Sequence, residues 1–563
     1  MTTTAESLIA DLDGELSARV DRAAAVRLVG HDWIIDWMIA TEAGWQTAAD
    51  AGAVRQHLVE HAPVVETTVR VDGGQLVHRA FVAADRDGTP AVVIEARNDS
   101  PHAVGLAFVL RSAVVDAAMP PVEWAGRGGG ETEVDIGGEV TAVLPDPAAV
   151  VSAEDDASLL EAMSGPTESS TSGALGGSAR VALVRPLPHT LTTRIAVSPV
   201  AGGVSPIGVA DAEAVARGWT RHTRGGGRVE LPEPVLSDLV SASRAQVLMA
   251  VRLPRPDTGV GAAVVDARLA DALRAMGQDR LAAGLGARRL AQLDRKGLVD
   301  DGSPSPVAAT GATLQILGGA AGGLDVDEVQ EWLPEVSGML VALDKAAGRS
   351  PGHDGGWDGW WADAGRRGAV RLLEVVGQGE AAARVRARLS GSDADGPAGL
   401  VASLDGRPAD VPSWRRILEA RAAVRQGCWP DEQLRWLVAA TEATGVMPLA
   451  ADDHLVAAEV VALWRDLGAV EGRDGVIMML PAVRSRWLGH PLEAHEIAVG
   501  TGTVGFAIRW HGARPALLWE SKGVEGATLT CPGLDPDWST REARGDALLA
   551  APVANDEVGG SIT

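Results

Sequence analysis

Tyrosine is absent from all 563 residues, and phenylalanine occurs only three times. Aromatic surface must therefore come from the 17 tryptophans, and any aromatic platform in a binding site has to be indole. Lysine is almost as scarce, at Lys296, Lys345 and Lys522, and no run of basic residues exists. With 75 acidic against 50 basic residues the formal charge is −25. That balance argues against a nucleic-acid surface, because phosphates must be neutralised by Lys or Arg. Two cysteines, Cys428 and Cys531, are too few for a disulfide scaffold or a Cys-based zinc site. No window approaches the roughly 18 consecutive apolar residues of a membrane span. The opening MTTTAESLIADLDGEL is acidic and lacks the basic start and apolar core of a secretory signal. A cytoplasmic protein with no membrane or nucleic-acid partner is the expectation.

What is present reads as globular. Hydrophobic residues make up 46% and charged residues 22%, a balance that supports packed cores. Residues 62–112 are β-branched, partly alternating and punctuated by turn residues, with Asp72-Gly73-Gly74 and Asn98-Asp99-Ser100-Pro101 reading as hairpin turns. Gly, Ser, Thr, Asp and Glu then crowd together over 126–179, the composition of a flexible excursion. Strand character resumes near 180, so 1–225 reads as one β-sandwich-like domain. From about residue 232 apolar residues recur at helical spacing, in segments separated by short Gly- or Asp-containing breaks. Such helices pack as antiparallel hairpins. Residues 226–475 thus read as a toroid of helical hairpins, with about ten clear helices. Residues 476–563 alternate again and turn on glycine, as in a small antiparallel β domain.

Several local patterns stand out: VVIEARNDSPHAVGLAFVLR at 92–111, ATGATL at 309–314, GGWDGWWADAG at 355–365, DDHLVAAEVVALWRDL at 452–467, RWHGARPALLWE at 509–520 and PGLDPDWS at 532–539. In this order they resemble bacterial members of the six-hairpin glycosidase superfamily, the glucoamylase-like toroids. The resemblance implies a multidomain α+β chain: an N-terminal β-sandwich, a central (α/α)6-type toroid and a small C-terminal antiparallel β domain. It implies a sugar site in a funnel at one end of the inner helices, worked by two carboxyl groups. Twelve toroid helices are then expected. The missing ones are either hidden in irregular segments such as 395–427, or the toroid is incomplete.

Glycoside cleavage needs one carboxyl group to protonate the leaving oxygen and a second as base or nucleophile. The densest candidate segment is His353 to Trp361, where Asp354, Trp357, Asp358, Trp360 and Trp361 sit on a Gly-rich approach to a helix. Indoles stack on sugar rings, carboxylates accept hydroxyl hydrogen bonds, and glycine lets backbone approach a ligand. Asp358 is the first candidate catalytic carboxylate, with Trp357, Trp360, Trp361 and Asp354 as sugar-binding candidates. Asp453, followed by His454 at another helix start, supplies the second carboxylate and a further binding residue. Both aspartates also suit helix caps, where a carboxylate satisfies free N–H groups. Glu459, inside the apolar run LVAAEVVALW, calls for a buried partner such as an Arg from another helix.

Metal and cofactor signals are missing. His57 and His61 stand four apart in HLVEH, the inverted order of some zinc peptidases, but lack a clear downstream ligand. The match reads as chance, and no G-x-x-x-x-G-K-[ST] phosphate loop occurs. The function these readings support is a glycoside hydrolase or phosphorylase acting on an oligosaccharide or glycoside without a cofactor. The alternative is a catalytically inactive relative that binds a glycan or a protein partner.

Overall fold

The computed structural model describes residues 6–552 except 43, 51–53, 72, 115, 116, 118, 148, 166–171, 176–179, 254, 256–259, 348–355, 390–395, 405–411, 445–453, 473 and 474. It divides into two compact units, residues 1–222 with 440–452, and residues 223–439 with 453–563.

The first unit is a sandwich of two antiparallel sheets. An eight-stranded sheet is centred on Trp33–Thr41, Val104–Ser112 and Arg180–Leu187. A nine-stranded sheet is centred on Thr192–Ser198, Pro90–Asn98 and Gly74–Ala84. Strand alternation sends Ile35, Trp37, Ile39, Leu106, Phe108 and Leu110 inward against Val92, Ile94, Ile195 and Val197 of the other sheet. The opposite face of the first sheet is also buried. There Met38, Ala107 and Val109 pack beneath Leu159 and Met163 of helix α1 (Asp156–Ser164). Burial on both faces explains why 104–110 is a continuous apolar run rather than an alternating one. Helix α2 (Ala212–Thr223) buries Ala216 and Trp219, and its Glu213 accepts a hydrogen bond from Arg79 at 2.7 Å.

Three local readings of the sequence change here. Asn98-Asp99-Ser100-Pro101 is not a hairpin turn but a crossover, since Pro90–Asn98 and Val104–Ser112 lie in different sheets. The Asn98 amide ties it down, donating to His102 O at 2.8 Å and Leu187 O at 2.9 Å. Much of 126–179 is ordered sheet, with strands Val122–Gly128, Glu131–Ile136, Val140–Pro145 and Ala149–Ala153. Gly128, Gly129 and Gly130 make the hairpin connection at φ of 91°, 69° and 79°, a backbone only glycine adopts freely. His57 lies in a strand and His61 in a 3₁₀ turn that passes through φ of 49° at Glu60 and 61° at His61. The helical face that a zinc-peptidase motif requires is not formed there.

The second unit begins with α3 (Pro234–Ala250), α4 (Ala262–Ala275), α5 (Asp279–Leu290) and α6 (Pro306–Ala320). The short α7 (Val326–Gln330), α8 (Leu333–Ala347), α9 (Trp357–Val375) and α10 (Gly379–Arg386) follow. Last come α11 (Pro397–Ser403), α12 (Pro412–Arg425), α13 (Asp431–Thr444) and α14 (His454–Gly468). Six of these pack in a closed ring, α4–α6–α9–α11–α12–α14 and back to α4. Helices α5, α8 and α10 each have a buried and an exposed face and pack against the ring helices α4, α6 and α9. The toroid helices missing from the sequence reading are α11 and α12, inside the irregular-looking 395–427 stretch. Proline begins each of them, at a position where its missing N–H costs nothing.

The tightest contact in the ring is between α6 and α9, made by glycines on both helices. A Cβ on Gly311 would lie 2.1 Å from Trp361 O, and one on Gly318 would lie 1.8 Å from Gly368 O. Gly365 and Gly368 meet α6 in the same way, so the two backbones touch. The remaining strands form a five-stranded antiparallel sheet, Arg228–Glu230, Leu492–Val499, Gly502–His511, Arg514–Lys522 and Arg544–Leu548. They also form a four-stranded sheet in which Val476–Met479 and Thr528–Cys531 run parallel. Among the described residues no helix is long and apolar enough to cross a membrane.

Candidate functional site

The ring of helices encloses a cavity of about 1150 Å³. Its wall is built by helical spacing. On α9 the residues Trp360, Ala364, Arg367, Arg371 and Glu374 recur every three or four positions and face it together. On α4 Arg268, Asp271 and Arg274 do the same, joined by Gln315 of α6, Arg421 and Arg425 of α12, and Arg465 and Asp466 of α14. Arg386 and Glu471 complete the charged lining, and Val499 and Gly500 close it from the five-stranded sheet. Eight arginines thus face four carboxylates, within a chain whose overall charge is −25.

One side of the cavity is an interlocked ion network. Asp466 accepts from Arg421 at 2.9 Å, Arg425 at 3.2 Å and Arg465 at 2.8 Å. Asp271 pairs with Arg465 across to α14 and with Arg268 on its own helix. Glu459, with no solvent exposure, is bridged by Arg268 and Arg421 and receives the Trp414 indole N–H at 3.3 Å. The buried partner expected for Glu459 is therefore a pair of arginines from α4 and α12. Burial alone would raise all three acids, but the guanidinium groups around them prevail. Arg465, Arg268 and Arg421 hold Asp271 well below the usual carboxylate range. Arg421, Arg425 and Arg465 depress Asp466, and Arg268 and Arg421 depress Glu459. All three stay ionised at neutral pH, so none has a proton to donate to a leaving group. The two remaining lining carboxylates are closer to solvent: Glu374 pairs with Arg386, and Glu471 with Arg371 at 2.7 Å.

The tryptophan segment meets this cavity at one point. Trp360 lines it. Trp361 is fully buried behind, edge-to-face with Trp360 at 4.8 Å and with Trp357 at 5.8 Å between ring centroids. Asp358 is not part of the lining. It accepts a hydrogen bond from the Ser305 hydroxyl, and Ser305 in turn caps α6 by accepting from Ala308 N at 3.0 Å. Asp358 therefore ties together the first turns of α6 and α9. His454 is buried in the first turn of α14, away from the lining. Asp354 and Asp453 fall outside the described residues.

The sequence reading missed the arginines of α4 and α12 and the two aspartates they hold. On α4 the available signal was charge inside an otherwise apolar helix. In Ala262–Ala275 Asp266 and Arg268 are as deeply buried as the neighbouring Val and Leu. Among the described residues, no group of three or more His, Cys, Asp or Glu side chains has the geometry to hold a metal ion.

Fold and site together define a helical-ring protein with appended sheets and a charged central cavity. No protein-family model matches the chain, and no curated protein matches it. Among solved structures it is similar to a putative kojibiose phosphorylase from the human microbiome, with 8% identity over 95% of each chain and a TM-score of 0.44. It is similar to a family 92 glycosyl hydrolase at 13% identity, covering 57% of this chain and 49% of that one, with a TM-score of 0.30. A family 92 α-mannosidase from Bacteroides thetaiotaomicron gives 8% identity, 66% and 51% coverage, and a TM-score of 0.26. The chain spans about half the length of the two family 92 proteins.

Proposed function

We propose that this chain is a carbohydrate-active protein whose sugar site is the central cavity of the helical ring, and that it binds its ligand there without cleaving it. The observation that carries the reading is the cavity itself. It is large enough for an oligosaccharide, and it offers an indole from Trp360, an amide from Gln315 and planar guanidinium groups. Indole faces stack on sugar rings, and guanidinium forks and carboxylates pair with neighbouring hydroxyls. The resemblance of the sequence patterns to glycosidases supplies the ligand class. Cytoplasmic location and a carbohydrate partner belong to the same reading.

Binding is favoured over hydrolysis because Asp271, Glu459 and Asp466 are each neutralised by two or three arginines. An acid catalyst needs the opposite environment, one that keeps its proton near neutral pH. A hydrolytic reading would rest on Glu374 and Glu471, the lining carboxylates nearest solvent. The test is calorimetric titration of the full chain with a panel of neutral and acidic oligosaccharides, run beside an aryl-glycoside turnover assay. Binding without turnover is expected. Hydrolysis that is lost in Glu374→Gln or Glu471→Gln would replace the binding reading with the catalytic one.

A further inference from the structure

The five-stranded sheet of the second unit ends on strand Arg544–Leu548, which pairs with Arg514–Lys522 on one side and with no described strand on the other. Hydrogen bonds at its two ends fix the parity of this ladder. Ser521 N–H donates to Ala543 O at 2.7 Å, and Leu549 N–H donates to Pro515 O at 2.9 Å. Residues 543, 545, 547 and 549 therefore turn their backbone groups inward, while Arg544, Asp546 and Leu548 turn theirs to the open edge. The same three residues put their side chains on the exposed face of the sheet. Leu548 is 50% exposed there, diagonal to Leu518 at 47%. Between the two charges, Gly545 lies under the Trp519 ring, where a Cβ would stand 2.7 Å from Cζ2. An aromatic ring laid over a glycine in this way supports an edge strand that glycine would otherwise weaken.

Open edges are commonly protected by charge. Here the charge is of both signs. Arg544 and Asp546 alternate along one face, and neither makes an ion pair among the described residues, even though Glu520 stands across from Arg544 in the register. A second copy, turned about a two-fold axis at Gly545, meets this edge as an antiparallel strand. Arg544 then faces Asp546 of the partner subunit, and Asp546 faces the partner subunit's Arg544. In both pairs the outward N–H and C=O groups meet, so each pair exchanges two backbone hydrogen bonds, as an antiparallel ladder requires. Opposite charges directly across two strands add to that pairing. The stem of the partner subunit's Arg544 also lies diagonally across Leu548 and covers its exposed side chain. Moving the axis onto Arg544 or onto Asp546 keeps the ladder parity but sets Arg against Arg or Asp against Asp. The charges therefore exclude the neighbouring registers and select one.

We propose that strand Arg544–Leu548 is a self-association edge, which joins two copies of this chain as an antiparallel pair centred on Gly545. The occupant is a second copy because the edge is complementary to itself. An interface of this length is small, so the dimer is weak and depends on concentration. The inference stands apart from the cavity reading and does not need it.

The test is sedimentation equilibrium of the full chain across micromolar concentrations, where a monomer–dimer equilibrium is expected. Arg544→Asp sets Asp against Asp at both pairs, and Asp546→Arg sets Arg against Arg. Each should weaken dimerisation by at least about tenfold. Both side chains are exposed, so each variant should melt with the unmodified chain. Mixed in equal amounts, the two variants place opposite charges at both pairs, and a dimer of one copy of each should return. The double variant exchanges the charges within one chain and should dimerise by itself. A chain that stays monomeric over the whole range overturns the inference. So does a dimer that neither single variant weakens, or a pair of variants that stays monomeric when mixed.

Discussion

At the scale of single residues the molecule is organised by buried charge. Asp466 serves three arginines at once, so removing its charge leaves Arg421, Arg425 and Arg465 short of a partner inside the ring. Asp466→Asn should cost about 3–5 kcal/mol, read as a lower urea midpoint. Asp271, Glu459 and Asp466 have folded pKa values below their unfolded ones. Their contribution is therefore present above about pH 4 and is lost as pH falls further. His78 sets a different window. It is buried against Trp37 at 4.9 Å between ring centroids, and burial pushes its pKa down to about 3. The unfolded chain takes up this proton near pH 6.5, so stability declines from about 6.5 toward 3, by up to about 1.4 kcal/mol per pH unit. Calorimetry of the full chain between pH 7 and 4.5 should show that slope, and His78→Leu should flatten it. Asp358→Asn should weaken the link from the Ser305 hydroxyl to the first turn of α9, lowering stability by about 1 kcal/mol with no effect on sugar affinity. A selective loss of sugar binding in that variant would return Asp358 to the site. Glu459 was legible in the sequence because a lone charge in an apolar helix demands a partner. Asp271 and Asp466 were not, because each stands near arginines at a helix end, a pattern shared with any solvated polar face.

At the scale of elements the contact between α6 and α9 is the most constrained feature. Gly318→Ala would put a methyl group into Gly368 O, and the helices cannot part without opening the ring. The expected loss is about 3 kcal/mol or more. Gly338 in α8 gives the opposite sign, since nothing lies within 4 Å of its Cβ position. Gly338→Ala should stabilise by about 1 kcal/mol, and thermal denaturation of the two variants side by side would check both. The strands of 62–112 and the apolar helices were legible because one buried face imposes a period of two or 3.6. Helix α12 was not. Its inner face meets the charged cavity rather than an apolar core, so PSWRRILEARAAVR carries arginines where a core helix would carry leucines. The strands around 126–153 were obscured for a different reason. Their glycines are turn residues between strands, yet they resemble the glycines of a linker.

At the scale of the whole molecule the scarcity of Tyr, Phe and Lys becomes a description of one cavity: a single indole, two amides, four carboxylates and eight guanidinium groups, with no lysine. Of the Trp cluster at 357–361, which begins α9, only Trp360 reaches the cavity; Trp357 and Trp361 are buried in packing. What composition could not show is that a chain of net charge −25 turns arginines inward on α4, α9, α12 and α14. That arrangement follows from tertiary packing. The central claim is that a sugar occupies this cavity and is held rather than cleaved. The most direct test is a crystal structure of the full chain grown with the tightest-binding oligosaccharide of the calorimetric panel. An intact sugar inside the cavity against Trp360 is the expected result. A ligand bound elsewhere with the cavity empty of sugar, or a cleaved product inside it, would contradict the account.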